Sequence, residues 1–344
     1  METVERDRAS SARAGMLAGL AMWIGLLQAA PAHANDSSAT LAAGGLQLTE
    51  SPDISMESED LHISRTRVHV VYRFRNSSDR DISTLVAFPL PTLTMDGDRN
   101  YNLEGRDPVN FMDFQVTVEG RRVAPSVEVK ATRFGVDVTA VLRRHGIPPT
   151  LITAGDDVSL RDRLDKLSAE ARQELERHGL IHWHTTPGGR DSKPEAFLHW
   201  DTQVTFYWFQ TFPAGRSIEV THTYRPVPGS FFFYAPTLAM PEVEKEFCFD
   251  QDFITAAGPR LEAAWQKTMH GYELKYILTT ARNWSGPIGR FKLTVEASAP
   301  GSLASTCAKG IRRTSPTTLV MTREDFRPDE DLTILFVEPA QPPK

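Results

Sequence analysis

The chain has 344 residues, two cysteines and a formal charge of −6 from 38 basic and 44 acidic side chains. This mild acidity, with no cluster of Lys and Arg, argues against a nucleic-acid partner, whose phosphates demand one. Neither cysteine lies in a C-x-x-C pair, which argues against a cysteine-based zinc site or a thioredoxin-like redox role.

Residues 1–34 read as an export signal. Arg6, Arg8 and Arg13 give a basic start diluted by Glu2, Glu5 and Asp7, Met16 to Ala30 is apolar, and Ala32-His33-Ala34 supplies the small residues of a cleavage site. The mature chain is expected to begin at Asn35 in the periplasm and to keep the charge of −6, because cleavage removes three residues of each sign. The apolar run falls short of the roughly 20 residues that cross a bilayer, so no membrane span is expected after cleavage; an uncleaved anchor is the alternative. Cys248 and Cys307 would then meet oxidising conditions. A disulfide between them would stabilise by about 4 kcal/mol on the loop-entropy model, and two buried free thiols are the alternative.

In chain order, Leu46 to Thr49 and Ile54 to Glu57 read as short strands. In Asp60 to Pro91, Val68, Val70, Tyr72 and Phe74 alternate with Arg67, His69, Val71, Arg73 and Arg75, a half-buried strand. The polar turn Asn76 to Arg80 leads into a second strand, Ile82 to Phe88, in a strand-turn-strand unit of the kind that builds sandwiches. Phe111 to Val118 and Val123 to Thr132 form a further pair around the turn Glu119-Gly120-Arg121. From Gly135 to Gly179 the periodicity becomes helical: Asp137 or Thr139 caps a first helix, Leu160 to Leu167 a second patch, and Ser168 caps a third that Gly179 stops. Thr202 to Phe212 reads as an aromatic strand covered on both sides, turning at Pro213-Ala214-Gly215 into Ser217 to Tyr224 as a second hairpin. Asp252 to Thr268 reads as a helix that Gly258-Pro259 interrupts or delays. Tyr272 to Thr280, Arg290 to Ala297, Thr317 to Thr322 and Leu332 to Val337 complete the strands, and the tail 339–344 is expected to be disordered.

The segments NDSSATLAAGGLQLTESPDISMESEDLHIS, YRFRNSSDRDISTLVAFPLP, FYWFQTFPAGRSIEVTHTYRPVPGS, YILTTARNWSGPIGRFKLTVE and FRPDEDLTILF resemble, in this order, a family of exported proteobacterial proteins catalogued only as a domain of unknown function, of the DUF4424 type. The resemblance covers nearly all of the mature chain and implies no assigned activity, cofactor or catalytic residue. A narrower likeness, over about Arg67 to Thr132, is to the N-terminal module of inter-alpha-trypsin inhibitor heavy chains; it implies a β-rich interaction module, and nothing like that family's metal-binding domain follows.

Candidate sites are weighed against plainer structural roles. On a strand His182 and His184 share a face and can meet one ion, with His178, His199 and Asp201 near in sequence; exposed histidines at an insertion boundary are the plainer reading, so His182, His184 and His199 stand as weak metal candidates. No G-x-S-x-G elbow or S-x-x-K serine occurs in a convincing setting, and Ser298 to Gly301 and Ser302 to Ser305 are loop compositions. The acids Glu57, Glu59 and Asp60, and Glu324, Asp325, Asp329, Glu330 and Asp331, are of the type that cleaves glycosides in pairs, with Trp200 and Trp208 as exposed rings for sugar stacking; solubilising loop acids and core aromatics are the plainer readings. Phe231, Phe232, Phe233 and Tyr234 cannot all face one core, so some must reach a second surface, a partner or a ligand. Trp284, in the tight segment Asn283 to Gly289, is either a recognition anchor or a cap on the core.

These readings give a mainly β protein, an antiparallel sandwich-like body with a helical insertion and one further helix: β-rich part 35–134, insertion 135–180, and a second β-rich part with one helix, 181–338. No catalytic residue and no cofactor is assigned. The expected function is a non-enzymatic binding or interaction module of the cell envelope, with an envelope protein or glycan as partner and with Phe231 to Tyr234 and Trp284 as the interaction surface. The alternatives are an envelope hydrolase acting on glycan or peptide and a small-ligand binder with an aromatic pocket.

Overall fold

The structure is a computed structural model that describes residues 37–42, 45–94, 107, 110–150, 162–184, 194–297 and 299–340. The segment read as an export signal, with its expected cleavage point, lies outside the described residues, as does the tail from 341; Pro339, expected in the disordered tail, instead ends a strand and pairs with Met269. No helix among the described residues is long and apolar enough to cross a membrane.

Sheet I has eight strands in the spatial order Arg312–Ser315, Thr318–Phe326, Ile288–Glu296, Ile54–Ser64, Val68–Asn76, Ser217–Tyr224, Gln115–Val118 and Arg121–Val123. Its first three strands come from the C-terminal part of the chain and its last five from the N-terminal and middle parts. They join where Ile288–Glu296 runs parallel to Ile54–Ser64, with Arg290 opposite Ser58 and Glu296 opposite Ser64. Gly289 permits that approach, because a Cβ there would lie 2.7 Å from the Glu57 carbonyl oxygen.

Two further sheets cover the apolar face of sheet I. Sheet II is built on Asp201–Phe212, flanked by Ser126–Arg133 and Ile82–Pro89. Sheet III has the order Gly229–Tyr234, Thr268–Tyr276, Leu332–Pro339 and Leu303–Thr306. One core runs under both: Val70, Tyr72, Phe74, Leu61, Phe291 and Leu293 of sheet I meet Phe88, Phe206 and Phe212 of sheet II and Leu274, Tyr276, Ile334 and Phe336 of sheet III. Two sandwiches therefore share one sheet. Alternation in Val68–Asn76 puts its even-numbered residues in this core and Arg73 and Arg75 in solvent.

Both expected hairpins are instead arches between sheets. Val68–Asn76 lies in sheet I and Ile82–Pro89 in sheet II; likewise Asp201–Phe212 lies in sheet II and Ser217–Tyr224 in sheet I. The arches stand side by side, so each strand pairs with its counterpart in the other arch. Buried Asn76 brackets them: its amide donates to the carbonyls of Arg80 (2.8 Å) and Phe212 (2.9 Å), and its oxygen accepts from Ser78 N–H (2.9 Å). A strand-turn-strand pattern fixes neither outcome, and burial of the amide decides for the arch. In the same way, Arg121–Val123 closes a short hairpin on Gln115–Val118, but Ser126–Arg133 crosses to sheet II. Asp201–Phe212 is not covered on both sides throughout, since Phe209 is 78% exposed.

The helices Thr139–Arg144 and Ala169–Arg177 enclose a small core of Val138, Leu142, Leu175 and Trp200 at one end of sheet II. Ser168 caps the second helix by accepting from Ala171 N–H at 3.2 Å. The helix Gln251–Ala263 accommodates Pro259 without interruption and is preceded by an unforeseen helix, Pro241–Phe247. This pair covers the outer face of sheet III through Phe247, Phe253 and Leu261. Leu332–Pro339 is thus buried on both sides, which accounts for its nearly unbroken apolar run. A disulfide joins Cys248, which ends the first of these helices in a left-handed conformation, to Cys307 just beyond strand Leu303–Thr306. It closes a loop across 59 residues.

Candidate ligand cleft between sheets II and III

The connection from sheet I to sheet III, Arg225-Pro226-Val227-Pro228, crosses open ground between sheets. Its two prolines lack N–H groups, so the crossing leaves fewer donors to satisfy. It is anchored at its start, where Arg225 N–H donates to Met112 O (2.7 Å) and the guanidinium meets Asp113 (2.7 Å). Asn110 fixes the facing segment by accepting from Phe114 N–H at 2.7 Å. Opposite, Leu90 N–H bonds to Val204 O (2.8 Å), and Leu93 pairs with Thr202 at the edge of sheet II.

These segments bound a cleft, open at its mouth, with a volume of about 50 Å³. Leu90, Leu93, Phe111, Met112, Val227 and Leu274 make its walls apolar. The polar groups are few: the Tyr224 phenol, Thr92, and the pair Glu273 and Lys275, 2.9 Å apart. Burial pushes the Tyr224 hydroxyl far above the usual tyrosine range, so it stays neutral and serves only in hydrogen bonding. Apolar walls with a few polar groups at fixed places suit a small apolar or amphipathic molecule.

A buried polar line lies in the shared core nearby. The hydroxyls of Tyr72 and Tyr276 are 3.0 Å apart, and Tyr276 donates to the buried Glu59 carboxylate at 3.4 Å. Tyr72 also packs against His222, whose ring is surrounded by Phe88, Phe114 and Trp208. Burial depresses the His222 pKa to about 3, so the imidazole is neutral at working pH.

The sequence candidates fall elsewhere. His182 and His184 share the exposed face of strand Ile181–His184, as the period of two required, but no group of three or more His, Cys, Asp or Glu placed to hold a metal occurs among the described residues. His199 is half-buried, and its N–H bonds to Leu180 O. Glu57 and Asp60 lie on the outer face of sheet I, paired with Arg73 and Lys292, while Glu59 points into the core; the three do not converge. Asp331 accepts from the N–H groups of Leu278 and Thr279, and Asp329 pairs with Lys309. Trp200 and Trp208 are buried, not exposed stacking platforms, because each ring fills a core.

Strand Gly229–Tyr234 splits the aromatic tetrad. Phe233 is buried beneath the helices and Phe231 packs beside it, whereas Phe232 (68%) and Tyr234 (40%) are exposed on the other face. Trp284 caps the core rather than standing on the surface: it is 3% exposed and packs on Phe74 (4.8 Å) and Phe212 (6.0 Å). The cleft itself was missed, because its walls come from separated segments; the Pro-Val-Pro crossing was the one local signal.

A family model described as a domain of unknown function, DUF4424, matches residues 34–335. The chain belongs to the DUF4424 family. No curated protein matches this DUF4424 chain, and no match supports the likeness to the inter-alpha-trypsin inhibitor module. Among solved structures it is similar to a Legionella pneumophila protein described as a "putative nutrient binding protein", at 14% identity and a TM-score of 0.42, covering 89% of this chain and 70% of that one. It is also similar to the M1 zinc metallopeptidase of Deinococcus radiodurans at 10% identity and a TM-score of 0.21, covering 84% and 43%. Likeness at these scores transfers neither a fold nor a ligand to the DUF4424 chain.

Proposed function

We propose that this DUF4424 protein is a non-enzymatic binding module whose cleft between sheets II and III takes a small apolar or amphipathic molecule. The observation that carries the proposal is the cleft's composition: apolar walls from five separate segments around a neutral phenol and one charged pair. The working compartment is the periplasm. Its support is the signal-like pattern of residues 1–34, together with the Cys248–Cys307 bridge, which suits an oxidising compartment. A second reading, a protein-interaction face, rests on the exposed rings of Phe232 and Tyr234 on the edge strand of sheet III.

The test uses anilinonaphthalene sulfonate, a fluorescent amphipathic probe. Gly229 lines the cleft with ordinary backbone angles, and a Cβ there meets nothing within 4 Å, so the backbone and Cβ of Gly229→Phe are accommodated and its ring occupies part of the cleft. The wild type is expected to bind the probe saturably at one site, and the variant about tenfold or more weakly. Equal binding by both proteins would remove the cleft as the site.

A further inference from the structure

A second cavity, of about 370 Å³, lies at the opposite edge of sheet III, between the helix Gln251–Ala263 and the strand Arg312–Ser315. Asp252, Ala256 and Arg260, spaced four residues apart, present one helix face to it. Leu303, Arg313 and Thr314 are among the residues that form the opposite wall.

The two arginines are under-satisfied. In Arg313, Nη2 donates to Ala304 O (3.1 Å) and to the Asp250 carboxylate (3.2 Å), but Nε and Nη1 are buried with no hydrogen-bond partner. Nη1 of Arg260 is in the same condition. Three N–H donor nitrogens left without a partner, on two permanently charged groups, are costly to bury. Nearby acceptors are already engaged. Asp250 accepts from Phe253 N–H at 2.6 Å as well as from Arg313 Nη2, while the Thr314 and Ser315 hydroxyls donate to Thr318 and make no bond to either orphaned guanidinium nitrogen. The disulfide and the bond from Ser305 Oγ to Phe247 O (2.9 Å) fix the start of the helix against Leu303–Thr306, so the walls are held in place.

From this geometry we infer that the cavity is an oxyanion site, in which Arg260 and Arg313 clamp a phosphate or carboxylate group of a small ligand. A modest turn of either guanidinium about its side-chain torsions brings an orphaned N–H to an acceptor in the void. Two planar forks on facing walls match the oxygens of such a group.

The test is calorimetric titration of the folded chain with inorganic phosphate and, separately, with succinate. Saturable binding of one equivalent is expected, weakened about tenfold or more in Arg260→Gln and in Arg313→Gln, and unchanged in Arg75→Gln on the outer face of sheet I. Arg313 also holds the helix cap, so Arg260→Gln carries the test where Arg313→Gln fails to fold. Preference for phosphate marks a phosphorylated ligand, and preference for succinate a carboxylate; either outcome supports the site. No saturable binding of either anion, or full affinity in Arg260→Gln, would overturn it.

Discussion

Replacing Trp284 by alanine is expected to destabilise the protein by about 3–5 kcal/mol, the range for removing a buried Trp or Phe from a packed core. The ring touches Phe74 and Phe212, which lie near the turning ends of the two arches. Its segment is tied down on both sides: Ser285 N–H donates to Ile54 O (2.8 Å), Ser51 N–H to Asn283 O (2.7 Å), and Asn283 Nδ2 to Ser37 Oγ (2.7 Å). The surroundings cannot easily collapse into the space the indole leaves, which places the cost toward the upper end of the range. Urea denaturation measures it through the midpoint at constant slope. A loss below about 1 kcal/mol would return Trp284 to the role of a surface anchor.

The second large effect is a loss of stability in acid that traces to His222. An unfolded chain protonates this imidazole as pH falls through 6.5, whereas the folded chain does so only near 3. Between those values the unfolded state binds the extra proton, so stability falls with falling pH by up to about 1.4 kcal/mol per unit, and by up to roughly 5 kcal/mol over the whole window. Above pH 6.5 this group contributes no slope. The His222 ring resonances are expected to stay unchanged from pH 8 to pH 4.5 in the native protein, and His222→Phe is expected to flatten the stability profile below pH 6. A ring that titrates near 6.5 in the folded chain would contradict both expectations.

Much of the architecture was legible in local pattern. Period-two alternation placed Val68, Val70, Tyr72 and Phe74 on one face, Ser168 and Gly179 bounded a helix, and the disulfide joins the two cysteines expected to pair. Partner choice was not legible. The same strand-turn-strand composition serves a hairpin or an arch, and buried Asn76 looks like any polar turn residue until Phe212 is beside it. The parallel pairing of Ile54–Ser64 with Ile288–Glu296 joins segments over 200 residues apart, and no periodicity encodes it.

Sites followed the same divide. Four consecutive rings, Phe231 to Tyr234, could not all face one core, and strand Gly229–Tyr234 sets Phe231 and Phe233 on one face and Phe232 and Tyr234 on the other. Trp284 went unresolved because Asn-Trp-Ser-Gly-Pro has the composition of an exposed turn, and only the rings at the arch ends draw the indole inward. The cleft and the Arg260–Arg313 cavity each depend on side chains brought from distant segments, one of which, around Arg313, carried no strand signal at all.

The cleft is tested most directly by native mass spectrometry of the protein isolated gently from the cells that make it. The wild type is expected to carry a single non-covalent small molecule that dissociates on activation, and Gly229→Phe, purified in parallel, to be free of it. Wild-type and variant chains that both fly at their bare polypeptide masses, or that both retain the same molecule, would contradict a ligand held between sheets II and III.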